Sequence, residues 1–300
     1  MKIDEQNGIV AYNDAAHSYW NVNDNGKYIS ATTLIELFAQ KFDSDFWSKY
    51  KVLEKLVPKE FWKLESKGLR LTHAIPDTIY TTYNISKKDV EAKQKELLAE
   101  WKQTNLESTT RGTKIHADLE KMIRGGGSDV SLKKYEVGGK FTYSGSSGPI
   151  TAENGVYPEY LISRESPDHI LRIAGHIDVL IKKGNKITVL DWKTNKEIKE
   201  KSGFDEQKKH NVMMQYPLSN LMDCNYSHYN LQLSLYAWMV CKQNPDLEVE
   251  DLVLVHFDHN EKMTIYHMPY LFDEVEQMLK YYKREVIRNQ QKQKRQRIEF

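Results

Sequence analysis

Short alternating runs and longer helical repeats divide the chain. Over roughly residues 9–30, the segments IVAY, HSYWNV and KYIS alternate apolar and polar positions between Asn/Asp/Gly clusters, the pattern of a small β-meander. Ser30-Ala31-Thr32-Thr33 then precedes LIELFAQ, which places hydroxyl groups to cap a helix running to about Gln40. Between 43 and 70, Phe46, Trp47, Tyr50, Leu53, Leu56, Phe61 and Trp62 recur at mostly helical spacing, broken at Pro58, and such a stripe reads as core or cover. Residues 86–105 read as an exposed helix. A second helix starts near Ser108, carries RGTKIHADLEKMI and stops at about Arg124, where Gly125-Gly126-Gly127 ends it.

From there to Gly155 the chain is rich in Gly and Ser and has little periodicity. It reads as an insertion, with a hairpin around KYEVGGKFTYSG, that serves either as a solvated loop or as a lid contacting a substrate. Strands are predicted at about 156–163, 171–182 and 186–193, and helices at 230–242 and 271–290 flank a strand pair near 252–268. There is no internal repeat. Gly138-Gly139-Lys140 lacks the spacing and the Ser/Thr of a phosphate-binding loop, so a nucleotide-driven motor is excluded from the reading.

Charge concentrates in one stretch, LRIAGHIDVLIKKGNKITVLDWKTNKEI, where two β-rich runs meet at Gly184-Asn185, a pair suited to a two-residue hairpin turn. The turn predicts a register: Lys183 opposite Lys186, Leu180 opposite Val189, Asp178 opposite Asp191, and His176 opposite Lys193. Alternation then puts Ile173, Ile177, Val179 and Ile181 on one apolar face with Leu190 and Trp192, and the charged groups on the other. Two carboxylates directly opposed destabilise a sheet unless something neutralises them. A divalent cation does so, polarises a phosphoryl oxygen and activates a bound water, while Lys193, on the same side as Asp191, orients that water or offsets charge on the phosphate. The alternative is a solvated hairpin face on which Lys193 pairs with the acids.

Composition narrows the class. The 300 residues hold 43 basic and 42 acidic side chains, a net charge of +1 that names no partner by itself. No apolar run approaches a bilayer span, and MKIDEQNGIV lacks the basic start and apolar core of a signal peptide, which predicts a soluble cytoplasmic protein without a membrane partner. The two cysteines, Cys224 and Cys241, are too few for a four-cysteine cluster and read as reduced structural thiols.

In order along the chain come Gly112-Thr113-Lys114-Ile115-His116, Glu159 in YPEY, Gly175-His176-Ile177-Asp178, Asp191-Trp192-Lys193 and Gln232-Leu233-Ser234-Leu235-Tyr236. Singly each is weak; in this order they resemble the RecB-like and phage-exonuclease branch of the PD-(D/E)xK nucleases over about residues 108–242, and the opening HSYW…YISATT is similar to the start of phage-type exonucleases in this group. The resemblance implies an α/β fold: a restriction-endonuclease-like core with a mixed central β-sheet flanked by helices, extended here by the N-terminal β-meander and helical additions. It also implies Mg²⁺ or Mn²⁺ dependence and hydrolysis of DNA phosphodiesters; the iron-sulfur relatives of the family are set aside, because the two cysteines are too few for a cluster.

Carried over by motif, Asp178 and Asp191 resemble metal ligands, joined by the Trp192 carbonyl and by His116. Glu159 resembles the acid of the preceding strand, and Lys193 the catalytic lysine. Without the motif His116 would pass for an ordinary surface or core histidine. Glu120, one turn beyond it, is either a partner of His116 or a surface glutamate. Gln232 and Tyr236, four apart on one helix face, resemble the pair that borders the site and the DNA, or else are plain packing. Pro167-Asp168 spells the literal motif but lies in a polar turn. The departure from the family is the long stretch between His116 and Glu159.

Residues 280–297 carry eight Lys or Arg against the single acid Glu285, so Arg284, Arg288 and Lys292 are candidate phosphate contacts, the other reading being a frayed, solvated tail. One elaborated nuclease domain over 1–300 is predicted: meander and helices to 107, the catalytic core over 108–268 with its insertion at about 125–155, and a basic C-terminal helix over 269–300. The function implied is an exonuclease in phage or bacterial DNA recombination, repair or replication, acting in the host cytoplasm with DNA and a single-strand annealing protein or helicase as partners. A structure- or site-specific endonuclease on the same core, and a DNA-binding or virion protein that kept the fold without turnover, are the alternatives.

Overall fold

The computed structural model describes residues 2–3, 10–13, 18–124, 154–205, 210–260 and 262–298, and its chain divides into two compact units. One comprises residues 1–39, 112–202 and 213–300; the other comprises 40–111 and 203–212. The predicted hairpin at KYEVGGKFTYSG lies outside the described residues.

The first unit is built on a mixed nine-stranded sheet. The meander is β1 (Lys2–Ile3), β2 (Val10–Asn13), β3 (Ser18–Asn21) and β4 (Lys27–Ser30), all antiparallel neighbours in sequence order. β4 joins the core by pairing in parallel with β6 (Arg172–Lys183), which also pairs antiparallel with β5 (Gly155–Glu165) and β7 (Lys186–Lys193). β10 (Glu248–Phe257) lies parallel to β7 and carries β11 (Met263–His267) at the edge. Ser30 caps α1 (Ala31–Glu36) by accepting from the Thr33 amide at 3.0 Å, as its hydroxyl predicts, but the helix ends short of Gln40.

Helices cover both faces of this sheet. α1, α6 (Asn225–Gln243) and α7 (Phe272–Ile298) enclose Leu180, Val189, Leu252 and Leu254 on one side. On the other side Leu119 and Ile123, near the end of α5 (Lys87–Arg124), cover Val179, Ile181, Leu190, Trp192, Val253 and Val255. Each such side chain, fully buried, contributes roughly 1.5–3 kcal/mol, so the strands that carry the acids are anchored from above and below. α5 is one helix of 38 residues where two were predicted. Gly112, inside the predicted second segment, does not break it; a Cβ there would come within 3.2 Å of Thr194 Oγ1, so the glycine lets the helix approach the end of β7.

The second unit is helical: α2 (Ser44–Leu56), α3 (Lys59–Thr72), α4 (Thr78–Thr82) and the first part of α5, with a two-stranded pair β8 (Phe204–Asp205) and β9 (His210–Asn211). Pro58 separates α2 from α3, as its missing amide dictates. Phe46, Tyr50, Leu53 and Leu69 are core here, with Trp47, Phe61 and Trp62 packed against them.

Two departures from the predicted hairpin shape the site. Gly184, with φ +61°, makes the turn, and the register is Lys183↔Lys186 and Leu180↔Val189 as expected, but the β6–β7 ladder stops at Val179↔Leu190. Asp178 therefore does not sit across a ladder rung from Asp191, nor His176 from Lys193. The Trp192 amide donates instead to Asp178 Oδ2 at 2.7 Å, and β7 continues alongside β10 alone. His176 turns away to meet the Tyr19 hydroxyl at 3.1 Å and the Tyr12 ring.

Strict alternation also fails. Ile173 and Ile177 pack with Leu180 and the α6 side, whereas Val179 and Ile181 pack with Leu190 and Trp192. The slip is at one level of the sheet, where Glu159↔Asp178 is missing from an otherwise continuous β5–β6 ladder and Glu159 has φ +50°. A left-handed conformation at a non-glycine residue costs about 1–3 kcal/mol and persists only where the surroundings impose it.

Candidate active site

At that level five elements converge. α5 brings His116, β5 Glu159, β6 Asp178, β7 Asp191, Trp192 and Lys193, and α6 Gln232 and Tyr236. His116, Glu159 and Asp178 each offer a ligand atom within 4.8 Å of the other two, close enough for one divalent ion. His116 Nδ1 is 3.5 Å from Asp178 Oδ1 and its Nε2 is 3.1 Å from the Trp192 carbonyl oxygen. The Lys193 ammonium is ion-paired to Asp191 Oδ2, while Asp191 Oδ1 accepts from Gln232 Nε2 at 3.1 Å.

The electrostatics follow from burial. Asp191 is only 2% exposed; burial pushes its carboxyl up to about 6, with the Asp178 charge adding to the rise and the Lys193 ammonium holding it back. Burial also pushes Asp178 upward, but His116, Lys193 and the Trp192 amide together keep it below the usual carboxylate range. For His116, burial pulls downward and is outweighed by the Asp178 and Asp191 charges, which carry the imidazole up to about 9. Lys193 stays charged for the same reason: desolvation opposes its charge and the two carboxylates restore it. An imidazolium bridging Asp178 and the Trp192 carbonyl, and an ammonium on Asp191, thus stand where a cation would balance the acids.

Every residue expected at the centre, His116, Glu159, Asp178, Asp191, Trp192 and Lys193, is brought together. Gln232 and Tyr236 border the cluster from behind, 7% and 4% exposed. Gln232 Nε2 reaches the Tyr236 hydroxyl at 3.4 Å as well as Asp191, so the pair holds an acid in place. Tyr236 also explains Gly175: a Cβ there would lie 2.7 Å from its ring. Arg284, Arg288 and Lys292 are exposed on successive turns of α7. Asp168 of the literal Pro-Asp pair sits in the β5–β6 turn, 2.6 Å from Lys283, and takes no part.

Sequence reasoning missed Tyr229, Asn195 and His256. The Lys193 ammonium lies 4.9 Å from the centre of the Tyr229 ring. The Tyr229 hydroxyl donates to Asn195 Oδ1 at 2.6 Å, and His256, the ladder neighbour of Lys193, meets the Asn195 carbonyl at 2.6 Å. Spacing carried the signal for Tyr229, which stands three and seven residues before Gln232 and Tyr236 on the same helix face.

Among known proteins, the solved structures to which the chain is distantly similar include two at low identity. That of SSO0001 is 15% identical with a TM-score of 0.32, over 87% of this chain and 84% of that one. A candidate exonuclease from Eubacterium rectale is 10% identical with a TM-score of 0.32, over 87% of this chain and 80% of its own. Likenesses this distant say nothing about activity, and comparison with curated proteins gave no match. Among the described residues no helix is long and apolar enough to cross a membrane. The model of one nuclease superfamily, by contrast, aligns with residues 70–299, which takes in most of the chain and the whole cluster from His116 to Tyr236, and by that extent the chain belongs to the PD-(D/E)XK nuclease superfamily.

Proposed function

We propose that the protein is a Mg²⁺- or Mn²⁺-dependent deoxyribonuclease that digests DNA from its ends, in phage or bacterial recombination, repair or replication. The observation that carries the nuclease reading is the convergence of His116, Glu159 and Asp178 within 4.8 Å, beside an Asp191–Lys193 ion pair. The exonuclease reading draws on the ordered motifs shared with phage-type exonucleases.

In this reading His116, Glu159, Asp178, Asp191 and the Trp192 carbonyl hold the metal. The donor set fits: hard oxygens predominate, as Mg²⁺ and Mn²⁺ require, and the imidazole is tolerated by Mn²⁺ in particular. When bound, the ion polarises the scissile phosphoryl oxygen and supplies an activated water. The chain's own residues do the rest. Asp178 is fixed by the Trp192 amide, and Asp191 by Gln232, so both carboxylates are oriented before a ligand arrives. Lys193 remains protonated and places its Nζ charge next to Asp191, where it stabilises negative charge developing on the phosphate. His116 gives up its proton when its ring nitrogen becomes a ligand.

End-labelled linear duplex beside a covalently closed circle, each with Mg²⁺, Mn²⁺ or EDTA, tests the reading. Loss of the linear DNA alone, dependent on metal, is expected. Cutting of the circle would make the protein an endonuclease on the same core, and intact DNA throughout would leave a binding protein.

A further inference from the structure

The segment from Met213 to Leu221 is tied down along its length. The Gln215 amide donates to the Phe38 carbonyl at 2.7 Å and its side-chain Nε2 to the Ala39 carbonyl at 2.7 Å. Met214 and Leu218 close the turn through Leu221 and Gln215, each at 2.9 Å. At its tip Tyr216 is nevertheless 66% exposed. Its ring meets Tyr281 of α7 edge-on, with centroids 5.4 Å apart at 75°. Tyr281 is backed by the buried Phe38 at 5.9 Å, and the Arg284 guanidinium lies 5.3 Å from its centre.

An aromatic ring on a rigid mount, in edge contact with a second ring that carries a guanidinium, leaves π-surface open beside a positive charge. From Arg284 the exposed series continues one and two turns on to Arg288 and Lys292, about 12 Å at 1.5 Å per residue. Residues 280–292 hold five Lys or Arg against Glu285. Lys283 is engaged by Asp168 and Lys280 by Glu276, while Arg288 has a loose 3.7 Å contact with Glu285 among the described residues. A protein partner would want a broader apolar patch and acidic complement; an anionic chain with flat bases matches both halves of this surface.

We propose that Tyr216, Tyr281 and Arg284 form a seat for an unpaired nucleotide, in which a base stacks on Tyr216 and backbone phosphates run along Arg284, Arg288 and Lys292. The ligand is single-stranded DNA, since bases in a duplex have both faces covered by their neighbours. The inference rests on DNA being the substrate, and it adds a place for the unpaired strand outside the catalytic cluster.

Anisotropy of a labelled oligothymidylate of about 20 nucleotides, measured in EDTA so that no cleavage intervenes, tests it. Tyr216→Ala is expected to weaken binding about tenfold, with less than about a twofold effect on a blunt duplex or an abasic strand of equal length. Tyr216→Trp is expected to retain the affinity and Tyr216→Leu to lose it as alanine does, which separates stacking from loss of bulk. Arg284→Ala should weaken all three ligands and lower the salt dependence by about one ion. Unchanged oligothymidylate binding in Tyr216→Ala, or an equal loss on the abasic strand, overturns the proposal; the former would point to a protein ligand for this face. Failure of the nuclease reading would appear instead as intact DNA in the presence of metal, with this titration still readable.

Discussion

His116 gives the sharpest quantitative consequence of the site. In the metal-free protein the Asp178 and Asp191 charges outweigh burial and carry its imidazole up to about 9, whereas a metal ligand must be neutral. Binding of Mn²⁺ at about pH 7.5 must therefore displace close to one proton. That displacement weakens apparent affinity by about 30-fold, or about 2 kcal/mol, relative to high pH. From about pH 7.0 to 8.5 the affinity should rise about 25-fold; a histidine with the ordinary value of about 6.5 would give less than about a 1.5-fold change over that range. Titration calorimetry of stripped protein, in two buffers of different ionisation enthalpy, reads both the slope and the proton count. A flat profile, or the same slope in His116→Asn, would refute the electrostatic reading. The sign for folding runs the opposite way: because the folded value is raised, the stabilisation is fully present below about pH 6.5 and is lost as pH climbs through about 9, so metal-free protein should melt lower at alkaline pH and His116→Asn should flatten the trend.

Other consequences can be checked singly. Glu159 holds φ +50° within a strand, so Glu159→Gly should be more stable than Glu159→Ala by about 1 kcal/mol in chemical denaturation, the reverse of the usual order in strands, and both should lose metal affinity. Gly175→Ala would thrust a methyl within 2.7 Å of the Tyr236 ring and should cost about 1–3 kcal/mol of stability; a neutral result would show that the ring is free to move. Tyr229→Leu should lower kcat about tenfold with little change in KM, because it removes the ring face under Lys193 at 4.9 Å, while Tyr229→Phe keeps that face and should retain most of the rate. Equal rates for the leucine and wild-type proteins would remove Tyr229 from the account.

The hairpin that carries the acids was legible because Gly184-Asn185 pins a register that the ladder keeps from Lys183↔Lys186 to Val179↔Leu190. What lay beyond was not legible, since the departure depends on a left-handed glutamate on the neighbouring strand and on a side chain, Asp178, taking the Trp192 amide from the ladder. Neither leaves a periodic signature. His116 was recognisable only through its motif, as a helical histidine has no distinguishing pattern until three strands are set against it. The continuity of α5 was hidden for a local reason: the polar run from Thr104 to Thr110 resembles one helix ending and another being capped, but the Thr109 and Thr110 hydroxyls donate to the Asn105 and Leu106 carbonyls one turn back within a single helix. Four-residue spacing put Gln232 and Tyr236 on one helix face but left open whether they border a site or simply pack; their burial depends on how deeply α6 packs, which that spacing does not encode. Tyr229 was within reach of the same helical spacing that linked Gln232 to Tyr236.

DNA hydrolysis is proposed for the cluster around Asp178, Asp191 and Lys193. The most direct measurement is the rate of product release from end-labelled linear duplex with Mn²⁺, for wild type and for Lys193→Ala shown by its melting curve to be folded. Metal-dependent hydrolysis is expected to fall at least about a hundredfold in the variant, whereas an unchanged rate would mean that the chemistry is carried elsewhere.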